Sequence, residues 1–104
     1  MKINIRNAAF VDYGEADVRF DRYECNGRVA MSIYQNGQMQ TRATVNLPDQ
    51  ELPKDHVFIK NHAENDGLMI DLVENNIISS PIRMVRSGHV LVPECKLLVT
   101  PEFE

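Results

Sequence analysis

The alternation of hydrophobic and polar positions divides the chain into short strands and one helix. Residues 17–25, 28–35 and 38–47 alternate with a period of two, which is typical of half-buried strands. An Asn-Gly pair separates each run from the next, and type I′ hairpin turns favour this pair because both central residues need positive φ. The pattern therefore predicts a three-stranded meander in which Gly27 and Gly37 have positive φ.

Two-residue turns also fix the register of the strands and hence the composition of each face. The expected cross-strand pairs are Cys25 with Arg28, Phe20 with Ile33, Arg22 with Met31, Tyr34 with Met39, Ala30 with Ala43 and Met31 with Arg42. One face then carries Val18, Phe20, Val29, Met31 and Ile33, diluted by Arg42 and Thr44. The other carries Tyr23, Ala30, Tyr34, Met39, Ala43 and Val45. Since neither face is wholly polar, we expect either a strongly curled sheet or one covered by the helix on one side and by a loop or partner on the other.

The stretch from Val57 to Ile78 contains the clearest helical period of the chain. Residues 57–59 are an apolar run that predicts a short buried strand. Four apolar residues then share one face of a 3.6-residue period: Leu68, Met69, Leu72 and Val73. A lone helix among strands buries such a face against the sheet, which predicts that these residues pack on the core.

Polar residues mark the two ends of this helix. Asn61 is the expected N-cap, with Glu64 in the capping-box position, and a helix that begins uncapped after Gly67 is the alternative. Asn75-Asn76 can end the helix in a left-handed conformation. Three polar residues fall on the side opposite the apolar face: Asp71, Glu74 and Asn75.

The remaining segments complete the predicted fold. Strands are expected at residues 2–12 (with a break near Asn7), 82–86, 89–92 and 96–99, and residues 100–104 are expected to form a frayed acidic tail. The fold class is therefore α+β: one domain over residues 1–104, with an antiparallel β-sheet of about six to seven strands, a hairpin meander, and one α-helix packed across it. The expected core includes Phe20, Met31, Ile33, Phe58, Leu68, Leu72, Val73 and Leu91.

Composition and charge narrow the functional classes. The 104 residues are 43% hydrophobic and 25% charged, which is ordinary for a soluble domain, and the net charge of −4 disfavours nucleic-acid binding by phosphate neutralisation. No apolar run reaches the ~18 residues that span a membrane, and no signal-peptide pattern is present. We therefore expect a cytoplasmic protein that does not engage a membrane and that keeps Cys25 and Cys95 as free thiols.

Residues 60–67 are the densest cluster of reactive side-chain types. His62 and Glu64 could serve as a base and its orienting carboxylate. Helix capping by Asn61, Glu64 and Asp66 is the interpretation we favour, because no nucleophile lies nearby in the sequence. The three histidines lack metal-ligand spacing, so we expect no metal, no cofactor and no enzymatic activity.

The meander supplies the other candidate surface. Arg19 and Arg42 come close to Tyr23 and Tyr34 in the predicted sheet, and such a face can stack on the bases of a single-stranded nucleic acid. Acidic residues sit on the same strand, and cross-strand salt pairing explains the arginines more cheaply. An aromatic anchor with charged neighbours is also typical of a protein-binding hot spot. We predict partner-binding residues in two places, with the tyrosine face favoured and burial of the tyrosines under the helix as the alternative: Tyr23, Tyr34, Arg19 and Arg42 on the meander, and His62, Glu64 and Asp66 at the helix start.

Two segments match a recognisable pattern: ATVNLP at residues 43–48, and the run from FIKNHAENDGLMIDLVENNII through RMVRSGHVLVPECKLL. Within them the recognisable core is Phe58-Ile59-Lys60, Glu64-Asn65-x-Gly67, Ser87-Gly88 and Cys95-Lys96-Leu97-Leu98. These segments resemble a family of short uncharacterised proteins (a domain-of-unknown-function family) encoded on plasmids and phages of gut bacteria. Asn61-His62 and Asp66 fall where the related sequences vary.

This resemblance implies a cytoplasmic protein from a mobile element and supplies no catalytic residues. Together with the acidic composition, it favours a small binding or inhibitor protein that docks on a host or defence protein, of the anti-CRISPR or anti-restriction type. The alternative is a nucleic-acid-associated accessory protein that uses the Arg/Tyr sheet face. Neither the partner nor the oligomeric state follows from the sequence.

Overall fold

Seven β-strands and two short helices form the described part of the chain. The computed structural model describes residues 1–103, with the elements β1 (Lys2–Ile5), β2 (Gly14–Arg22), β3 (Val29–Gln35), β4 (Gln38–Arg42), β5 (His56–Phe58), a 3₁₀ helix (Ala63–Asn65), α1 (Leu68–Glu74), β6 (Arg83–Ser87) and β7 (Val90–Lys96). Strands β1 to β4 form one sheet in sequential order, and the other has the order β5-β7-β6, with antiparallel pairing throughout. The predicted α+β class is confirmed, and its seven strands divide between two sheets.

The hairpin between β2 and β3 has a longer turn than expected. Arg22 pairs with Val29, and the Tyr23 amide donates to the Arg28 carbonyl at 2.9 Å, so the predicted pairing of Cys25 with Arg28 is wrong. Gly27 has the predicted positive φ of 72°, whereas Asn26 does not have the positive φ that a type I′ turn needs. The Asn26 side chain is instead bonded across to Asn46.

This change moves the register by two residues and leaves the faces as predicted. Phe20 pairs with Met31 and Val18 with Ile33, in place of the expected pairs of Phe20 with Ile33 and Arg22 with Met31. A shift of two residues keeps every side chain on its own side of the sheet, because side chains alternate with a period of two.

The hairpin between β3 and β4 begins as predicted and then departs from its register. Asn36 and Gly37 both have positive φ, at 53° and 76°, and Tyr34 pairs with Met39. The register then shifts, so Ile33 pairs with Thr41 and Ser32 with Arg42. The expected pairs Met31–Arg42 and Ala30–Ala43 are therefore wrong. A one-residue shift exchanges faces, which moves Arg42 to the Tyr34 side and Ala43 into the core.

After β4 the chain passes from the first sheet to the second. The amide of Ala43 still donates to the carbonyl of Met31, at 2.7 Å, whereas the amide of Val45 donates to the carbonyl of Phe58, at 3.0 Å. The strand predicted over residues 38–47 is consequently shorter, because its second half changes partner. The segment from Phe58 to Lys60 joins the two sheets at this point.

Strand β7 is a single strand where the sequence predicts two. Pro93 lies within it and pairs with Met84 of β6, and its carbonyl accepts from the amide of Ile59 at 2.9 Å. In an antiparallel ladder the amide and the carbonyl of one residue point to the same side of the strand. The Pro93 carbonyl points towards Ile59 and away from β6, so the absence of an amide hydrogen on Pro93 removes no hydrogen bond to β6. The break predicted between residues 92 and 96 is absent for that reason.

Helix α1 begins after Gly67, which is the alternative start that the sequence allowed. Gly67 has φ of 85°, and a Cβ added there would lie 2.0 Å from the backbone oxygen of Asn7. Capping of the helix by Asn61 is therefore wrong, since a glycine without a side chain occupies the N-cap. At the other end Asn76 has the left-handed conformation expected of a helix stop, with φ of 58°.

Asp71 is buried, which corrects its placement on the polar side of the helix. Its carboxylate is 0% exposed and accepts bonds from the backbone amides of Arg6, Asn7 and Ala8 at 2.8–3.1 Å. These amides belong to the segment after β1, which is a loop where the sequence predicts continuation of the first strand. Helix and loop are therefore joined by one buried anion.

The core has one large cluster and one small one. Leu68 and Leu72 pack with Val18, Met31 and Ile33, so α1 covers the inner face of the first sheet. The small cluster is centred on Phe58, Val85 and Val92, packed against by Val45, Leu47, Leu52 and Val90. The predicted core is confirmed except for two residues. Val73 is only partly buried, and Leu91 is 53% exposed because it alternates with Val92 on β7.

The segment after β7 is packed along β2, so its prediction as a frayed tail is wrong for the residues described. Phe103 forms a parallel bridge with Phe20, and the Arg22 guanidinium lies 4.0 Å from the centroid of the Phe103 ring. Residue 104 lies outside the described part. Neither helix among residues 1–103 has the length and apolar character needed to cross a membrane.

Candidate protein-binding surface

The first sheet has a face that α1 does not cover. Residues that alternate with the core positions of β2 and β3 lie on this side, and we call it the outer face: Asp17, Arg19, Asp21, Tyr23, Ala30, Ser32, Tyr34, Met39 and Arg42. The tyrosines predicted for partner binding therefore lie away from the helix. The register shift in β4 adds Arg42 to the same face.

At one end of the outer face, Arg19 stacks on Tyr34. Its guanidinium carbon lies 4.0 Å from the ring centroid, and its Nε lies 3.4 Å from a carboxylate oxygen of Asp17. The pKa of Asp17 is lowered from its ordinary value, chiefly by the hydrogen bond from the N-terminal ammonium and to a smaller extent by Arg19. Stacking and ion pairing together hold Arg19 flat against the sheet.

At the other end, Arg42 lies over Tyr23. The distance from its guanidinium carbon to the ring centroid is 5.6 Å, and the hydroxyl of Tyr23 is hydrogen bonded to the hydroxyl of Thr44 at 2.8 Å. Both tyrosines are half-buried rather than fully exposed. In each pair an arginine guanidinium lies over one face of the tyrosine ring.

Between these two stacks the sheet surface is small and nearly closed. Ala30 is 1% and Ser32 is 7% exposed. Met39, opposite Tyr34 in the register, is 46% exposed. The outer face thus combines rigid aromatic rings, arginines, acids and one flexible apolar side chain, which is the mixture typical of protein-binding hot spots.

The predicted site residues at the helix start have different surroundings. Glu64 is exposed and bonded to Lys60, and this bond is the main cause that lowers the pKa of Glu64 from its ordinary value. Asp66 is exposed, and its carbonyl accepts from the amide of Ala9 at 2.9 Å. His62 is half-buried, and its Nδ1 lacks a hydrogen-bond partner among the described residues. The favoured interpretation, helix capping by Asn61, Glu64 and Asp66, is wrong, because no side chain caps either described helix and Glu64 is bonded to Lys60.

A buried asparagine joins the helix start to the outer face. Asn65 is 0% exposed; its amide donates to the carbonyl of Arg42 at 2.8 Å and its oxygen accepts from the hydroxyl of Thr41 at 2.5 Å. The two predicted parts of the surface are therefore attached to each other at β4, although they are made by segments distant in sequence.

The second sheet contains a buried charged group that the sequence pattern did not predict. Glu94 is 3% exposed and accepts from Arg83 Nε and contacts His56 Nδ1, both at 2.5 Å. Burial raises the pKa of this carboxyl group, but the bonds from His56 and Arg83 outweigh burial and lower it overall. These residues adjoin the small core cluster, where Glu94 pairs with Phe58, so their evident role is to join three strands.

The loop between β1 and β2 carries two exposed aromatic residues that the sequence pattern did not predict either. Phe10 is 72% and Tyr13 is 75% exposed. Phe10 falls within the strand predicted over residues 2–12 and Tyr13 directly after it, whereas β1 ends at Ile5. The signal that could have found them is two aromatic residues within four positions.

The remaining reactive groups are isolated. Cys25 is exposed and Cys95 is buried, and both thiols are free; burial and the neighbouring Glu94 raise the pKa of Cys95 to about 11. Over residues 1–103, no three His, Cys, Asp or Glu side chains converge as a metal site would require.

Comparison of the chain with protein-family models, with curated proteins and with solved structures finds no match. The resemblance to mobile-element proteins therefore stays a prediction, and the functional argument rests on the geometry of the chain itself.

Proposed function

We propose that this protein is a small binding protein that docks on another protein through the outer face of its first sheet. One observation carries the proposal: this face is left uncovered by α1 while it holds two arginine-stacked tyrosines in fixed positions. Tyrosine and arginine are the residues most enriched at binding hot spots, and rings held in place lose little conformational entropy on binding.

The electrostatics of the outer face favour a protein over a nucleic acid. Asp17 and Asp21 lie on β2 on either side of Arg19, and the net charge of the chain is −4. Stacking on bases needs open ring faces, yet Arg19 occupies the face of Tyr34. A partner that offers both charges and an apolar recess fits this surface better than a row of phosphates.

A host or defence protein in the bacterial cytoplasm is the partner we propose, with inhibition of the anti-CRISPR or anti-restriction type as its consequence. Support comes from the resemblance of the chain to mobile-element proteins and from a surface built for docking rather than for chemistry. A nucleic-acid accessory role is the second candidate, which the arginines of the outer face favour.

The test replaces Tyr34 with alanine and measures partner affinity and stability together. Wild type, Tyr34→Ala and the control Met84→Ala, an exposed residue of the second sheet, are used to capture proteins from a host lysate. The partner identified with wild type is then titrated against each variant. We expect Tyr34→Ala to weaken binding at least tenfold while the midpoint of thermal unfolding falls by a few degrees, and Met84→Ala to change neither.

Two results would reject the proposal. Unchanged affinity of Tyr34→Ala for the partner would remove the outer face from the interface. Salt-sensitive retention of DNA or RNA by wild type that Arg19→Ala abolishes, with no protein partner, would favour the nucleic-acid alternative.

A further inference from the structure

The loop between β1 and β2 presents the two most exposed large hydrophobic side chains among residues 1–103. Phe10 is 72% and Tyr13 is 75% exposed, well above the 40–55% of the other exposed apolar residues. We call residues 6–13 the aromatic loop. Single exposed apolar residues are common, but two aromatics within four positions on one loop are a feature to be explained.

The backbone of the aromatic loop is held by groups outside it. The buried carboxylate of Asp71 accepts from three consecutive amides at its start. The amide of Ala9 donates to the carbonyl of Asp66 at 2.9 Å, and the side-chain amide of Gln35 donates to the carbonyl of Asp12 at 2.7 Å. Bonds at the start, middle and end therefore fix the course of the loop.

Two residues of the aromatic loop are buried in the core, and the aromatic residue between them is exposed. Ala8 is 1% and Val11 is 6% exposed, and both belong to the large core cluster. Phe10 lies between these two anchors, and it is turned outward by them. A loop whose backbone is already ordered loses little entropy when a partner binds, so its aromatic side chains can contribute most of their burial to affinity.

The charges around the loop indicate the chemistry of the partner. Asp12 lies between the two aromatics in sequence; Asp66 contacts the loop through its backbone, and Glu74 approaches Asn7 at 3.5 Å. All three carboxylates are on exposed residues, against the single basic residue of the loop, Arg6. The loop and the two residues bonded to it therefore carry three exposed acidic residues and one exposed arginine.

We propose that the aromatic loop is a second docking surface, whose ligand is a polypeptide segment combining apolar side chains with lysine or arginine. Phe10 and Tyr13 supply the apolar contact, and Asp12 with the neighbouring acids selects the basic residues. An anionic lipid surface would be repelled by the same acids, so a protein segment is the ligand that the charges favour. The inference does not depend on the proposed function of the outer face.

The test selects peptides from a random displayed library on the immobilised wild-type protein. Selected peptides are synthesised, and their dissociation constants are measured for wild type, Phe10→Ser/Tyr13→Ser, Asp12→Lys and Tyr34→Ala. We expect peptides with at least two basic and two apolar residues. Phe10→Ser/Tyr13→Ser should weaken the binding of these peptides at least tenfold. Asp12→Lys should weaken it several-fold, with the greater effect at low salt, and Tyr34→Ala should leave the dissociation constants unchanged.

Each contrary result overturns the inference. The first is a library that enriches no peptide whose binding depends on Phe10 and Tyr13. The second is selected peptides that lack basic residues. The third is peptide binding that Asp12→Lys leaves unchanged at low salt. Binding of wild type to phosphatidylglycerol vesicles that the double variant loses, without peptide binding, would assign the loop to lipid. Circular dichroism is measured for each variant as the control that its fold is retained. Because Tyr34→Ala and Phe10→Ser/Tyr13→Ser act on different surfaces, failure of one proposal is separable from failure of the other.

Discussion

Replacing Asp71 with asparagine tests whether one buried carboxylate holds the aromatic loop to the helix. Oδ1 accepts from the amides of Arg6 at 2.9 Å and Asn7 at 3.0 Å, while Oδ2 accepts from the amide of Ala8 at 2.8 Å. Asparagine has the same shape but offers one oxygen. If that oxygen replaces Oδ1, the new NH₂ group faces the buried amide of Ala8, donor against donor.

The magnitude follows from these bonds. A buried donor left without an acceptor costs about 1–3 kcal/mol, and each bond that changes from a charged to a neutral acceptor loses roughly 1 kcal/mol. One orphaned amide of Ala8 and three weakened bonds, from the backbone amides of Arg6 and Asn7 and the side-chain amide of Asn7, give a loss of about 4–6 kcal/mol in the free energy of unfolding. This is large against the total of about 5–15 kcal/mol typical of a domain.

The assay is urea unfolding at pH 7, with Asp66→Asn as the control, since it removes the same charge from an exposed side chain. We expect the control to change the free energy of unfolding by less than about 0.5 kcal/mol. Hydrogen exchange should show the amide of Ala8 protected in wild type and much less protected in Asp71→Asn. A loss below about 1 kcal/mol in Asp71→Asn, or an Ala8 amide that exchanges freely in wild type, would refute the reasoning.

Three further predictions concern packing and pH. Gly67→Ala should destabilise the domain by about 2–5 kcal/mol, because a Cβ would meet a backbone oxygen at 2.0 Å, whereas Gly88→Ala, with positive φ but open space, should lose about 1 kcal/mol in urea unfolding. Leu72→Ala should lose about 2–5 kcal/mol and the half-exposed Ile70→Ala under 1 kcal/mol in the same assay. The folded state lowers the pKa of Glu94, so the ionised carboxylate stabilises the fold above the unfolded pKa of about 4.3. This stabilisation is lost as the pH falls through the lower pKa of the folded state. Glu94→Gln should therefore reduce the loss of unfolding free energy measured between pH 7 and pH 3.

Local patterns predicted the elements of this fold well, because they act over few residues. The turn at Asn36-Gly37 has the positive φ values that its residues demand, and the apolar face of α1 enters the core through Leu68 and Leu72. The start of α1 after Gly67 was one of two alternatives, and the sequence alone had no means to choose. The deciding contact is the backbone of Asn7, which is distant in the chain.

The features that sequence reasoning missed are set by long-range contacts. Asp71 has the periodicity of a solvent-facing residue, and it is buried because three amides of a distant loop need an acceptor. Arg42 lies on the outer face because the register between β3 and β4 shifts by one residue beside Tyr34. No residue pattern in the sequence marks this shift. Two strands were predicted on either side of Pro93, yet β7 runs through it, because the missing amide does not face β6. In each case the local preference is real and a tertiary contact outweighs it.

In the candidate site, too, local patterns predicted some features and long-range contacts determine the others. Tyr34 and Arg19 were brought together by hairpin alternation, which sequence can supply, whereas Phe10 and Tyr13 are exposed because of how their loop is anchored. Predicting the part of the outer face that belongs to β2 and β3 therefore needed only a period of two. Predicting the aromatic loop would have needed knowledge of Asp71 and its bonds.

The segment from residue 62 to residue 71 connects both proposed docking surfaces. Asn65 is bonded to Arg42 beneath the outer face, while Asp71 is bonded to the aromatic loop. A substitution of either buried residue, Asn65 or Asp71, would disturb the segment that joins the two surfaces, so a loss of binding could not be assigned to either surface. Truncation of an exposed side chain leaves these buried bonds intact. For that reason Tyr34 and Phe10, rather than the buried residues that position them, are the residues whose replacement can distinguish one docking surface from the other.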